Sequence, residues 1–270
     1  AKDKQVFGRG DASTPSEYDA SFGSSTSNAG AATQIKRLDQ KDLALIRSTQ
    51  GVELVREGVA VNAVYVTRPG QKKFVGTLQA FSPSQKPETL AGSLPKPLTN
   101  GSVLLPEGFL DPLGFKSAHD AIGQEITVAV RKSISPTELA AKIAAGASQA
   151  DLAEISANSL QTENLKIEAV LKKPVTAQPG TELYLYVSNG DALKLNEIAT
   201  TGTPDFQKYP SVYVKVVDGN DPAKLEAVQS KLKSMGYVTL SVEQTQKFLL
   251  QFISILQGIV VGFAFLAVIA

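Results

Sequence analysis

No cysteine occurs in the 270 residues, and histidine occurs once, as His119. These two absences exclude thiolate zinc sites, iron–sulfur clusters, disulfide frameworks, cysteine nucleophiles and any site that needs two imidazoles. The lack of cysteine also fits an extracytoplasmic setting. Charge of one sign is missing too: 27 Lys and Arg stand against 26 Asp and Glu, and the basic residues are spread among carboxylates rather than gathered in a run. Little electrostatic drive toward nucleic acid remains, and no nucleic-acid partner is expected. No GxxxxGK[ST] phosphate loop is present, and Gly8-Arg9-Gly10 neither follows a strand nor opens a helix, so nucleotide binding by this chain is not expected.

What is present begins with a long uncharged run. Phe248 to Ala270 carries only Gln251, Ser254 and Gln257 as strongly polar side chains. As a helix it reaches roughly 35 Å, against a hydrocarbon core of about 30 Å. The run is therefore expected to begin a transmembrane helix, with Phe252, Ile253, Ile255, Leu256, Ile259, Val260, Val261, Phe263, Phe265 and Leu266 as its membrane-spanning residues. The chain stops inside this run and opens on Ala1-Lys2-Asp3-Lys4, so a segment of a longer membrane protein is the expectation. Residues 8–33 are rich in Gly, Ser, Ala and Thr, with Tyr18 and Phe22 as bulky anchors, and are expected to form a mobile loop. The tripeptide Arg9-Gly10-Asp11 within it is too common by chance to argue for adhesion.

Two similar patterns flank the middle of the chain. Asp39 is placed to cap a helix of about three turns, with Asp42 in its first turn, Leu38 stapled to Leu43, and Gly51 at its end. A long strand from Val52 to Val66, a turn at Pro69-Gly70 and a second strand from Lys73 to Phe81 should follow. Near the other end, a strand Val212–Val217 precedes Asp221 as N-cap and Pro222 at the first helical position. Leu225, Val228, Leu232 and Met235 then mark one helical face, Gly236 a stop, and Tyr237–Val242 a further strand. Strand, helix and strand make a βαβ unit with parallel strands. The fold class expected is α+β, a split βαβ domain made from 1–81 and 211–247.

Residues 82–210 read as an inserted, mixed α/β subdomain entered and left through Pro-rich segments. Within it, Gly123–Val130 alternates as a strand, Ser135-Pro136-Thr137-Glu138 opens a helix, and Ser148 with Asp151 opens another. Leu165–Leu171 and Glu182–Val187 read as strands, and Ser188–Ala199 as a short helix.

Chemistry-bearing constellations are few. His119, followed by Asp120, reads as an exposed loop residue, because an adjacent carboxylate does not supply triad geometry. Asp218-Gly219-Asn220-Asp221 lacks the remaining positions of a calcium loop and reads as a turn with an N-cap. Tyr184, Tyr186 and Tyr213 fall in strands, where aromatic rings cover a sheet face more often than they bind ligand. A membrane-anchored enzyme working through carboxylates or a Ser–Lys pair would need a deep pocket of convergent acids with shifted pKa values.

The order of segments resembles the extracytoplasmic core domain of the MacB/FtsX-like permeases of ABC transporters. Leu38-Asp39-Gln40-Lys41-Asp42-Leu43 through Gly51-Val52-Glu53 is similar to that family's opening helix, Gly-Val and strand. Phe74-Val75-Gly76, Leu90-Ala91-Gly92-Ser93-Leu94-Pro95, Leu113-Gly114-Phe115 and Ile122-Gly123-Gln124-Glu125-Ile126-Thr127-Val128 are similar to later stretches, with Ser93 where Arg is common. Gly236-Tyr237 stands where the family leads into its stalk and second span.

The resemblance implies a Porter-like subdomain from the two ends, a Sabre-like subdomain from 82–210, and the start of a transmembrane helix at 248–270. It also implies a non-catalytic permease domain in the cytoplasmic membrane, with residues 1–247 on the extracytoplasmic side. ATP and Mg would sit on a partner cytoplasmic ABC ATPase, this chain holding no cofactor or metal of its own. A second permease copy would complete a dimer, and a periplasmic adaptor or a cell-wall hydrolase would be a further partner. Two functions follow: export of peptide, lipoprotein, lipid or hydrophobic cargo by mechanotransmission, or regulation of a peptidoglycan hydrolase without transport. Substrate-stimulated ATPase would argue for the first, and hydrolase co-purification for the second.

Overall fold

The computed structural model describes residues 14–18, 37–82, 85–174 and 181–241. They fall into two compact units, one within 1–43 and 56–213 and the other within 44–55 and 214–270. The expected span, with all ten of its named residues, lies outside the described residues. No helix among the described residues is long and apolar enough to cross a membrane.

Capping chemistry sets the first helix. Asp39 Oδ1 accepts from the backbone N–H groups of Lys41 (2.9 Å) and Asp42 (3.0 Å), and Asp42 Oδ2 accepts in return from Asp39 N (3.1 Å). Each carboxylate satisfies a donor that the first turn leaves free. The helix, α1 (Gln40–Arg47), is nearer two turns than the expected three. Beyond it the expected long strand is two strands, β1 (Val52–Gly58) and β2 (Ala60–Thr67), broken at Val59. Gly58 is packed so closely on Ser211 that an added Cβ would lie 2.4 Å from its hydroxyl.

The first unit is built on a seven-stranded sheet. Its strands are β2, β3 (Phe74–Ala80), β4 (Thr89–Gly92), β5 (Ser102–Pro106), β6 (Glu125–Arg131), β7 (Leu160–Leu171) and β8 (Tyr184–Val187). The order is β4-β7-β5-β8-β3-β2-β6, and β6 pairs in addition with β7. The first half of β7 lies antiparallel to β6 and its second half parallel to β5, with Lys166 opposite both Glu125 and Ser102. This one long strand brings the sheet back onto itself, which removes most of its free edge. The β2–β3 hairpin, expected to belong with residues 211–247, is instead hydrogen-bonded to β6 and β8 of the 82–210 segment. Its turn is where the sequence puts it, with Gly70 at φ +77°.

One face of this sheet carries the core. Val61, Leu78 and Leu185 lie opposite one another on β2, β3 and β8, and Ala80, Val187 and Val103 form the next row. All six are buried, together with Phe109, Leu113, Ile126, Val128 and Ile167. Burying each large aliphatic side chain contributes about 1.5–3 kcal/mol. Helix α5 (Asn189–Thr200) lies against β2, β3 and β6 and adds Ala192 and Leu195 to the core. A smaller cluster, Phe81, Leu98, Leu104, Ala169 and Leu171, covers part of the other face.

The remaining helices of the first unit start as expected. The Ser135 hydroxyl accepts from Glu138 N (3.1 Å) to open α3 (Pro136–Ala144), and Ser148 and Asp151 cap each other at the start of α4 (Gln149–Asn158). The Ser148 hydroxyl and then its backbone N–H, each donating to Asp151 Oδ2 at 2.7 Å, hold the exposed Asp151 carboxyl below its ordinary pKa. His119 is exposed, as expected, but sits on a one-turn helix, α2 (Ala118–Ala121), rather than in a loop. Within the expected mobile loop, residues 14–18 are paired: Tyr18 N donates to Lys73 O and Val75 N to Ser16 O, each at 2.8 Å. The Tyr18 ring, 5.7 Å from that of Tyr65, acts as their anchor.

In the second unit, β9 (Ser211–Val216) enters from the first unit and pairs with β1, Lys215 forming an ion pair with Glu53. Asp221 caps α6 (Pro222–Ser234) by accepting from Ala223 N at 2.9 Å. Val228 and Leu232 are buried and Leu225 and Met235 half-buried, which is the predicted face. The helix closes as a Schellman motif, Tyr237 N donating to Leu232 O and Gly236 N to Lys233 O, with Gly236 at φ +90°. The expected strand from Tyr237 does not form over 237–241. Val238 and Leu240 there are 94% and 82% exposed, so the alternating pattern has no sheet surface beneath it.

Candidate functional site

Two shallow cavities open on the first unit. One, of about 210 Å³, is lined in part by Glu107, Asp111 and Glu182 with Lys173. Glu107 already accepts from Lys173 N at 3.0 Å, and no described group of three His, Cys, Asp or Glu side chains is arranged to hold a metal ion.

The other cavity, of about 240 Å³, lies at the start of α5, beside Arg56, Phe81, Asn100 and Ser188. Ser188, 3% exposed, bonds Asn100 Oδ1 (2.6 Å) and Asp191 Oδ2 (2.9 Å) and accepts from Asp191 N (2.9 Å). Asp191 Oδ2 accepts in addition from Gly101 N at 2.8 Å. One of the donors that this helix N-terminus would offer an anion, Asp191 N, is thus engaged by the helix's own cap. This network ties residues 100–101 to residues 188–191 and is structural in its chemistry.

A third arrangement lies on the face of the sheet opposite the main core. The pairing of β2, β3, β8 and β5 produces two rows there: Ala60, Gln79, Tyr186, Leu104, and beside it Asn62, Thr77, Tyr184. Thr77 Oγ1 donates to Asn62 Oδ1 at 3.1 Å across the second row. Tyr213, 41% exposed, brings its hydroxyl to 3.5 Å from Gln79 Nε2. The Tyr186 ring meets Phe81 edge-on at 6.1 Å. Burial, and then the neighbouring Tyr213 and Tyr184, push the Tyr186 phenol above its ordinary pKa. No charged side chain stands in either row.

The sequence reading placed Tyr184, Tyr186 and Tyr213 on strands, and the structure brings all three to this one face. Asn62, Thr77 and Gln79 escaped it, because only the register of β3 between β2 and β8 sets them beside the tyrosines. Asp218, at φ +50°, turns the chain ahead of α6 and is bonded by Lys224, which leaves the Asp218–Asp221 segment the turn it was expected to be.

No family model matches the chain, and no curated protein is similar to it in sequence. Among solved structures it is similar to the extracellular domain of the noncanonic ABC-type transporter YknZ from Gram-positive bacteria. That likeness has 10% identity and a TM-score of 0.40, and covers 75% of this chain and 86% of that one. It is also similar to the periplasmic region of MacB from Actinobacillus actinomycetemcomitans, at 15% identity and a TM-score of 0.42 over 75% of this chain and 76% of that one. A domain of a putative permease protein from Porphyromonas gingivalis is similar at 15% identity, with a TM-score of 0.37 over 73% of this chain and 69% of that one.

Proposed function

We propose that this chain is the extracytoplasmic domain of a MacB/FtsX-like ABC permease. In this reading it couples ATP hydrolysis by a cytoplasmic partner to export of peptide, lipoprotein, lipid or hydrophobic cargo. The observation that carries the proposal is the make-up of the second unit. Gly51-Val52-Glu53 and Gly236-Tyr237, stretches that resemble the family's opening and its approach to the second span, are far apart in sequence and belong to one compact unit. That same unit leads directly into the uncharged run at 248–270.

The second unit is read as part of the Porter-like portion, and the 82–210 strands as the Sabre-like portion. The domain takes no chemical step. ATP and Mg are held by the ATPase, and the run at 248–270 anchors the chain in the cytoplasmic membrane with residues 1–247 outside. Motion of the span reaches α6 through residues 237–247, and a second copy completes the assembly.

The test is co-purification. The protein as its gene encodes it is isolated in lipid nanodiscs and assayed for bound subunits and ATP hydrolysis. A stoichiometric ATP-hydrolysing subunit supports the reading, and its absence under all solubilising conditions contradicts it. Stimulation of that hydrolysis by hydrophobic cargo separates export from control of a cell-wall hydrolase.

A further inference from the structure

We propose that the cavity at the start of α5 binds the end of an apolar molecule through a carboxylate that pairs with Arg56. The site stands apart from the permease reading and needs no second subunit.

Chain topology makes the cavity. Strands β3 and β8 run parallel and end together, Ala80 opposite Val187, and Phe81 N donates to Val187 O at 2.8 Å. Beyond that bond the chains part: Ser188 turns into α5, and Asn100 enters from ahead of β5, which runs antiparallel to β8. A gap at the carboxyl ends of parallel strands, where neighbouring connections diverge, is a common ligand position in sheets with helical connections.

The lining is of two kinds. Phe81 and Leu98, both buried, form an apolar wall with Pro97, and Arg56, Asn100 and Asn189 supply polar groups. Arg56 is half-buried, and among the described residues its guanidinium has no hydrogen bond, ion pair or ring beneath it. Other arginines of this unit are engaged, Arg37 with Asp205 and Arg68 over Phe115. A cation drawn partly out of water without a partner is costly, and an anion from outside the chain removes that cost. Asn100 Oδ1 is taken by Ser188, which leaves the Asn100 amide N–H groups to donate. Asp191, the acid of the neighbouring cap, is already met by Gly101 N and Ser188 Oγ.

Charge and size set the ligand class. Arg56 is the one charged side chain among the described residues that line the cavity, so a single negative charge balances it. The planar guanidinium fits a carboxylate through two parallel bonds, whereas a phosphate dianion would keep a charge unmet. The volume of about 240 Å³ is below the roughly 300–1,000 Å³ that holds a whole drug-sized ligand, so a terminal group enters rather than the whole molecule. The chemistry recognised is an apolar carboxylate, from a peptide C-terminus or a fatty acid.

The test uses the protein as its gene encodes it, in lipid nanodiscs. Phenylglyoxal modifies accessible guanidinium groups, and mass spectrometry reads its addition at Arg56 and at the exposed Arg37. The expected result is that an apolar acid, N-acetyl-leucyl-leucine or hexanoate, slows modification of Arg56 but not of Arg37. The C-terminal amide of the peptide and inorganic phosphate should leave both rates unchanged. Protection by the peptide acid alone assigns a peptide C-terminus, by hexanoate alone a fatty acid, and by both the shared carboxylate. In saturation-transfer NMR the protecting acid should bind Arg56→Gln about tenfold more weakly than the natural protein. The comparison of acid with amide is made on the natural protein and does not hinge on how the variant folds. No protection by either acid, equal protection by the amide or by phosphate, or unaltered binding to Arg56→Gln overturns the inference and leaves the permease reading in place.

Discussion

Gly51 and Val228 stand in contact: at Gly51, φ is +89°, and a Cβ added there would lie 2.8 Å from Cγ2 of Val228. The turn into β1 and the buried face of α6 are therefore fitted to each other at a residue that only glycine fills without strain. Gly51→Ala is expected to destabilise the second unit by about 1–3 kcal/mol. Urea unfolding followed by circular dichroism reads this, and an unchanged midpoint would contradict it.

Ser188 makes a second prediction. Its hydroxyl, itself buried, serves the cap of α5 and contacts Asn100, and Ser188→Ala removes both contacts. A loss of about 1–2 kcal/mol is expected. The exposed cap Ser148→Ala should cost less, because water replaces what the hydroxyl gave. Equal losses for the two variants would refute the role given to the Asn100–Ser188 pair.

The raised pKa of Tyr186 predicts a pH dependence with a definite sign. The folded protein keeps the phenol protonated above the ordinary value of 10.0, while the unfolded chain releases the proton near that value. In that window the native state binds more protons, so stability falls as pH rises. The contribution is complete below about pH 9 and is lost through pH 10 and beyond. Denaturation midpoints between pH 8 and pH 11 should fall more steeply for the natural protein than for Tyr186→Phe. Parallel curves would remove the argument.

Val238 and Leu240 yield a prediction of no effect. They look like the outer residues of a strand in sequence but are almost wholly exposed. Val238→Thr and Leu240→Thr should each change stability by less than about 0.5 kcal/mol. A loss above about 1 kcal/mol would mean that residues 237–241 are covered after all.

These cases show what was legible beforehand. The caps at Asp39, Ser135, Ser148 and Asp221 were readable, because a side chain satisfying a backbone donor two or three residues on is local chemistry. So were the hairpin turn at Gly70 and the stop at Gly236, both positions with positive φ. Pairing between distant segments was not. Strand β5, a five-residue apolar run, and β4, only four residues long, have no period that marks them as strands. The polar start of β7, Gln161 to Asn164, hid the half of that strand that closes the sheet onto β6. The tyrosine face shares this cause: its parts come from β2, β3, β8 and Tyr213, and register alone unites them.

The central claim is mechanical coupling, and ATP hydrolysis measured in lipid tests it most directly. The protein as its gene encodes it is co-expressed with the ATP-hydrolysing subunit that the proposed function calls for, and activity is compared with and without residues 1–247. The account predicts that the pair assembles in both cases, and that without the domain hydrolysis continues but is uncoupled from cargo release or from a hydrolase readout. An ATPase that never associates, or coupling that survives loss of the domain, would contradict it.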